Sequence, residues 1–193
     1  MVRAVFLDRD GVINENRDDH VKDWSEFRFL PGAAGAVARL SQAGLLVFVI
    51  TNQAIINRGL VSRHTVDAIN QKMTRAIEQL GGRIQSVVYC PHRPDEGCAC
   101  RKPRPGLLLE IANRYCLNLR EAVLIGDALT DIEAGRAVGC ESILVLTGRG
   151  PEQLALATAS GKSGFTVARD LSSAVDLLLS QWKLEYEVIK AIS

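Results

Sequence analysis

Two aspartates stand two residues apart in DRDGVIN: Asp8 and Asp10, with Gly11 and Asn14 just beyond. Carboxylates this close repel and raise each other's pKa unless a cation lies between them. Mg²⁺, which prefers hard oxygen ligands, is the natural partner. A polar turn closed by Gly11 is the plain alternative. Asp127, in GDALTD, is a second candidate ligand; alone it could cap the helix starting near Leu129, and Asp131 could lie on a solvated helix face. In TNQ, the Thr51 hydroxyl and the Asn52 amide could hold phosphate oxygens, or could serve as an ordinary turn ahead of Gln53. Lys102, beside Arg101, could bridge a carboxylate and a phosphate.

A second group is compact. Cys90, His92, Cys98 and Cys100 read C-x-H-x₅-C-x-C. Three thiolates and an imidazole form a closed tetrahedral set, the structural kind of Zn²⁺ site, with no position left open for water. Such an ion does no chemistry itself. It staples the loop whose end carries Arg101 and Lys102, the latter two residues past the last ligand. Cys116, on a predicted helix, and Cys140, ahead of a predicted strand, read as small core hydrophobes. His64 reads as a solvated helix residue, and His20 belongs to the polar loop 15–26.

These residues need a scaffold that brings them together. Short, apolar, β-branched runs occur at 3–7, 45–50, 84–89, 122–126 and 142–146. Amphipathic stretches lie between them, at 33–43, 62–80, 105–116 and 129–138, with apolar positions three and four apart. Ser62 suits a helix cap, Pro105 a first turn, and Gly44, Gly81 and Gly139 sit where helices should stop. Strands apolar throughout are buried on both faces, which predicts a doubly wound, mainly parallel α/β sheet. In that architecture ligands bind beyond the carboxyl ends of the strands, where Asp8, Thr51 and Asp127 fall. The stretch 170–191 reads as one or two helices at the edge, with WKLEYEVIKAI as an extra arm.

With 193 residues the chain is expected to be a single domain, spanning 1–193, with a full α/β core. The net charge of +1 argues against a broad nucleic-acid or membrane surface. A zinc-containing nucleic-acid module using the basic turn RKPR at 101–104 remains the remote alternative; aromatic content of only 5% speaks against it. The apolar run at 45–50 is too short to span a bilayer, and no leader is expected ahead of Asp8, so a cytoplasmic setting follows. Thiols there stay reduced, which favours a metal over disulfides for the cysteine cluster. A monomer is expected.

Taken together, DRDGVIN, TNQ, CRKP and GDALTD resemble the four motifs of the haloacid dehalogenase-like phosphotransferases over roughly residues 3–147. That resemblance implies a Mg²⁺-dependent phosphomonoester hydrolase acting through an aspartyl-phosphate. It makes Asp8 the nucleophile and Asp10 the general acid and then base. Mg²⁺ would be held by Asp8, the main-chain carbonyl of Asp10, and Asp127. Thr51 and the backbone near Asn52 would hold phosphate oxygens, Lys102 would neutralise charge, and Asp131 would orient a metal-bound water or Lys102. The Cys-x-His…Cys-x-Cys-Arg-Lys-Pro loop further resembles two groups that lack a large cap domain: phosphatases of D-glycero-D-manno-heptose 1,7-bisphosphate and histidinol-phosphate phosphatases. Asn14, the approach FRFLPGA at 27–33, and TNQAIINRG with its Arg58 favour the first. The five residues between His92 and Cys98 resemble the second. The resemblance also makes Asn14, Asn52, Gln53, Arg58 and Arg101 candidate contacts for a small phosphorylated metabolite.

Overall fold

A computed structural model describes residues 2–180 of the chain. Six strands form one sheet in the order β3-β2-β1-β4-β5-β6, and every adjacent pair is parallel. The strands are β1 (Ala4–Leu7), β2 (Leu46–Asn52), β3 (Ser86–Cys90), β4 (Ala122–Gly126), β5 (Glu141–Val145) and β6 (Thr166–Ala168). The first five coincide with the apolar runs of the sequence. The sixth, in TVA, is too short and too exposed to carry a hydrophobic signal.

Alternate residues of each strand feed opposite cores, as the period of two demands. Val5, Leu7, Val47, Val49, Val123 and Ile125 face one helix layer. It is built from α1 (Ala33–Gln42), α2 (Arg63–Glu78) and the helix that begins at 171. Phe6, Phe48, Ile50 and Leu124 face the other layer, to which α3 (Gly106–Tyr115) and α4 (Leu129–Arg136) belong. Each fully buried Leu, Ile or Phe contributes about 1.5–3 kcal/mol, so these two layers fix the strand register. Ser62 caps α2 by accepting from the Thr65 amide at 3.1 Å, as expected. A fifth helix, α5 (Gly150–Ala159), follows β5.

β1 and α1 are joined by a loop with one short 3₁₀ turn at Trp24–Glu26, held down by stacking of Trp24 on Phe27 at 4.8 Å. No cap domain is inserted among the described residues. None of their helices is long and apolar enough to cross a membrane. The reading of WKLEYEVIKAI as an arm falls outside the described residues. Cys116 departs from its expectation: it ends α3 in the left-handed region at φ 54° and is exposed, because the helix stops there and turns its side chain out. Cys140 is buried as expected, its thiol donating to the Ala122 carbonyl at 3.0 Å.

Candidate active site and cysteine cluster

The register of the three central strands assembles the first site. Leu7 pairs with Val49 and with Ile125, so the residues that follow each strand emerge side by side. The Asp8 amide then donates to the Ile125 carbonyl at 2.9 Å, closing β1 against β4. Asp8, Asp127 and Asp131 bring carboxylate oxygens within 4.8 Å of one another, all three buried. Lys102 enters from the far side. Its buried ammonium lies 3.0 Å from Asp8 Oδ1 and 2.6 Å from Asp131 Oδ1, and donates to the Ile50 carbonyl at 3.0 Å.

Two cations face three carboxylates, Lys102 and a half-exposed Arg149 whose Nη2 lies 3.4 Å from Asp127 Oδ1, so negative charge is left over. Burial pushes the Asp8 carboxyl up to about 6, opposed by Lys102 and aided by the charges of Asp131 and Asp10. Asp127 is also raised, by burial and then by Asp8. Asp131 is raised by burial, which outweighs its pairing with Lys102. Such a set fits a divalent cation, whose charge removes both the repulsion and the desolvation penalty. The space beside Asp127 is kept by two glycines. A Cβ on Gly11, which sits at φ 86°, would lie 2.1 Å from Asp127 Oδ2, and one on Gly148 would lie 2.4 Å from the same oxygen. No L-residue side chain fits at either position without displacing that carboxylate.

Asp10 has different surroundings. Both of its oxygens accept from Arg9 Nη2 at 3.0 Å, Asn14 Nδ2 donates to it at 2.9 Å and Gln53 Nε2 at 2.7 Å. Burial would raise its pKa, but Arg9 and these hydrogen bonds outweigh burial and leave the carboxyl below its ordinary value. Its carboxylate lies outside the three-acid cluster. Two acids of one motif therefore differ in environment: Asp8 is held up, Asp10 held down.

The remaining predicted residues divide. Thr51 and Asn52 line a cleft of about 350 Å³ with Asp8 and Asp10, together with Arg58, Arg101 and His20. The Asn52 side chain is engaged elsewhere: its amide donates to the Lys102 carbonyl and its oxygen accepts from the Lys102 amide, both at 3.1 Å. Asn14 and Gln53 are buried behind Asp10, off the cleft wall. Arg58 donates to His20 Nε2 at 3.0 Å, so that ring nitrogen is the acceptor; burial and then Arg58 lower the His20 pKa. His64 is exposed, as expected. Arg149, not singled out in the sequence, also lines the cleft; its amide donates to Asp127 Oδ2 at 2.9 Å. Its guanidinium also reaches Asp127 Oδ1 at 3.4 Å, and nothing in TGRGP signals either contact, since only the fold brings the loop after β5 to Asp127. Asn70 was likewise hidden, as a buried polar residue in the middle of α2 gives no strand-end signal.

In the second group, the four sulfur and nitrogen atoms of Cys90, His92, Cys98 and Cys100 converge. Cys90 Sγ lies 3.5 Å from His92 Nδ1 and 3.5 Å from Cys98 Sγ; Cys100 Sγ lies 3.2 Å from Cys90 Sγ and 3.3 Å from His92 Nδ1. Ligands at about 2.0–2.3 Å from a tetrahedral zinc would be spaced little wider than this, so the donor set and its size fit that ion. Burial and the neighbouring thiols push the Cys90 thiol well up, a cost that metal ligation removes. The loop is also laced by protein contacts: Arg101 donates to the His92 carbonyl at 3.2 Å and Arg104 to that of Cys98 at 2.7 Å. Lys102 is thus buried, and each arginine of RKPR spends its Nη1 on a loop carbonyl.

The HAD-hydrolase-like family matches residues 99–174. A D-glycero-beta-D-manno-heptose-1,7-bisphosphate 7-phosphatase of Bordetella bronchiseptica is 42% identical over 180 residues, covering 93% of this chain and 99% of its own. The enzyme of that name from Pseudomonas aeruginosa is 41% identical over 175 residues, covering 91% and 97%. Among solved structures, D,D-heptose 1.7-bisphosphate phosphatase from B. bronchiseptica, complexed with magnesium and phosphate, superposes with a TM-score of 0.88 at 42% identity, covering 93% of this chain and 99% of that one.

Proposed function

The chain belongs to the haloacid dehalogenase-like hydrolases, within them to the heptose-1,7-bisphosphate 7-phosphatases, and on that premise we propose that it removes the 7-phosphate of D-glycero-β-D-manno-heptose 1,7-bisphosphate. The observation that carries the reading is Lys102, clamped between Asp8 and Asp131 beside Asp127 at the carboxyl end of the central strands.

Asp8 is the nucleophile. A carboxylate oxygen forms a bond to phosphorus while the bond from phosphorus to the sugar oxygen breaks. Asp10 delivers a proton to the departing alkoxide, then takes one from the water that attacks the aspartyl-phosphate and releases inorganic phosphate from Asp8. In the absence of substrate its surroundings favour the carboxylate form. The negative charge of an arriving phosphate raises that pKa and supplies the protonated form. Lys102 neutralises charge on the transferring group, Thr51 and the Asn52 backbone orient its oxygens, and Asp131 fixes Lys102. Mg²⁺ would be held by Asp8, Asp127 and the main-chain carbonyl of Asp10; when bound it supplies charge neutralisation at the phosphate and separates Asp8 from Asp127. Zn²⁺ on Cys90, His92, Cys98 and Cys100 would be structural. Arg58 and Arg101 at the cleft mouth suit the second phosphate of a bisphosphate.

The test is Mg²⁺-dependent phosphate release from both anomers of heptose 1,7-bisphosphate, histidinol phosphate and simple sugar phosphates. We expect the β-bisphosphate to exceed the others by about a hundredfold in kcat/KM. Preference for histidinol phosphate, or even release across the panel, overturns the substrate.

A further inference from the structure

Arg9 is the largest fully buried side chain among the described residues, and the mechanism above gives it no part. A buried guanidinium is costly, and an apolar side chain in its place would often stabilise the fold as well or better. Its Nε has no hydrogen-bond partner at all, so this arginine is not optimised as a structural ion pair. Its remaining contacts point at the chemistry. The Arg9 amide donates to Asp8 Oδ1 at 2.7 Å, and Nη2 forks across both oxygens of Asp10 at 3.0 Å. Nη1 donates at 3.0 Å to Oδ1 of Asn70, a buried residue in the middle of α2 that lies 61 positions away in sequence. Asn70 is the only polar side chain among the residues of α2 buried against the sheet, where Val66, Ile69, Met73 and Ile77 are its companions.

We infer that Asn70 and Arg9 form a positioning pair that aims the Asp10 carboxyl at the leaving-group oxygen. Asn70 sets the rotation of the guanidinium, and the guanidinium sets the plane of the carboxyl. Neither residue touches the reacting phosphate. Proton delivery requires hydrogen-bond geometry between Asp10 and the departing oxygen, so a slipped carboxyl penalises substrates whose leaving group must be protonated. It spares a substrate whose leaving group departs as a stable anion.

This inference rests on the phosphatase reading, and its test separates the two. With the full-length, Mg²⁺-loaded protein, kcat/KM is measured for heptose 1,7-bisphosphate and for p-nitrophenyl phosphate. The quantity kcat/KM reports the chain of steps up to phosphoryl transfer, so a slower hydrolysis of the aspartyl-phosphate does not enter it. Asn70→Leu removes the acceptor at similar volume; it is expected to lower kcat/KM for the bisphosphate about tenfold or more while p-nitrophenyl phosphate stays within about threefold. Asn70→Asp keeps an oxygen for Nη1 at the same volume, in a residue that lines a groove beside α2; both substrates are expected to stay within about threefold of wild type. Arg9→Lys cannot fork two oxygens and reach Asn70, and should repeat the selective loss. Equal losses on both substrates in Asn70→Leu, or no loss on either, overturns the inference. If the wild-type protein hydrolyses p-nitrophenyl phosphate but not the bisphosphate, the substrate assignment fails; the same ratio is then read with a hexose 6-phosphate, and the positioning pair stands or falls on that.

Discussion

The acid cluster and the cysteine cluster are both groups of candidate metal ligands, and they are built in opposite ways. Cys90, His92, Cys98 and Cys100 come from eleven consecutive residues, so their convergence is a local matter of loop geometry. Asp8, Lys102, Asp127 and Asp131 span most of the chain and meet only because β1, β2 and β4 pair in one register. The local group can be held by an ion at modest entropic cost. The dispersed group depends on the whole sheet. The difference also divides the labour: the local cluster closes on itself with soft ligands, while the dispersed one leaves uncompensated charge facing a cleft. Lys102 joins them, being two residues from Cys100 and 3.0 Å from Asp8.

If the dispersed cluster does the chemistry and the local one only holds Lys102, removing the lysine must cost more than removing a zinc ligand. Lys102→Ala is expected to lower kcat about 10²–10³-fold, read in steady-state phosphate release. Cys100→Ser is expected to abolish zinc retention, seen by elemental analysis, and to lower kcat by about 10²-fold at most, through misplacement of Lys102. A larger loss in Cys100→Ser than in Lys102→Ala would give the zinc loop a direct part.

The two clusters should also separate by pH. Asp8 is raised to about 6 in the fold from an ordinary value of 3.8, so without metal it favours the folded state below 3.8 and loses that contribution as pH rises through about 6. A cation at Asp8 competes with the same proton. Mg²⁺ affinity should therefore fall as pH drops below about 6, by up to about tenfold per unit, and Mg²⁺-induced thermal stabilisation should be larger at pH 7.5 than at pH 5. The smallest effect belongs to the loop's protein contacts. Asn57 donates to Glu96 at 2.8 Å in an exposed position, and Asn57→Ala should cost about 0.5–1.5 kcal/mol at most, by denaturant titration, with zinc content unchanged.

What could be read in the sequence follows the same division. The cysteine cluster was legible from spacing alone, because its geometry is local. The common placement of Asp8, Thr51 and Asp127 was legible because a doubly wound sheet brings together the residues just past its apolar runs, and those runs are unbroken. Asp131 was open to a solvated reading, since a helix position shows nothing of the lysine that approaches it from 29 residues away. Asn14, Asn52 and Gln53 belong to the right motifs, yet their side chains serve Asp10 and the Lys102 backbone, a distinction that residue type cannot carry. Arg9 lay in plain view between two aspartates and would pass for a surface cation; only the fold buries it. Strand β6 went unseen because Val167 is exposed and only Ala168 is buried.

The most direct test of the account is to find where phosphate resides during turnover. The protein is mixed with substrate and Mg²⁺, quenched in acid within the first turnover, digested and analysed by mass spectrometry. A phosphorylated Asp8, absent in Asp8→Asn together with turnover, is the predicted result. Phosphate on any other residue, or turnover that survives Asp8→Asn, would contradict it.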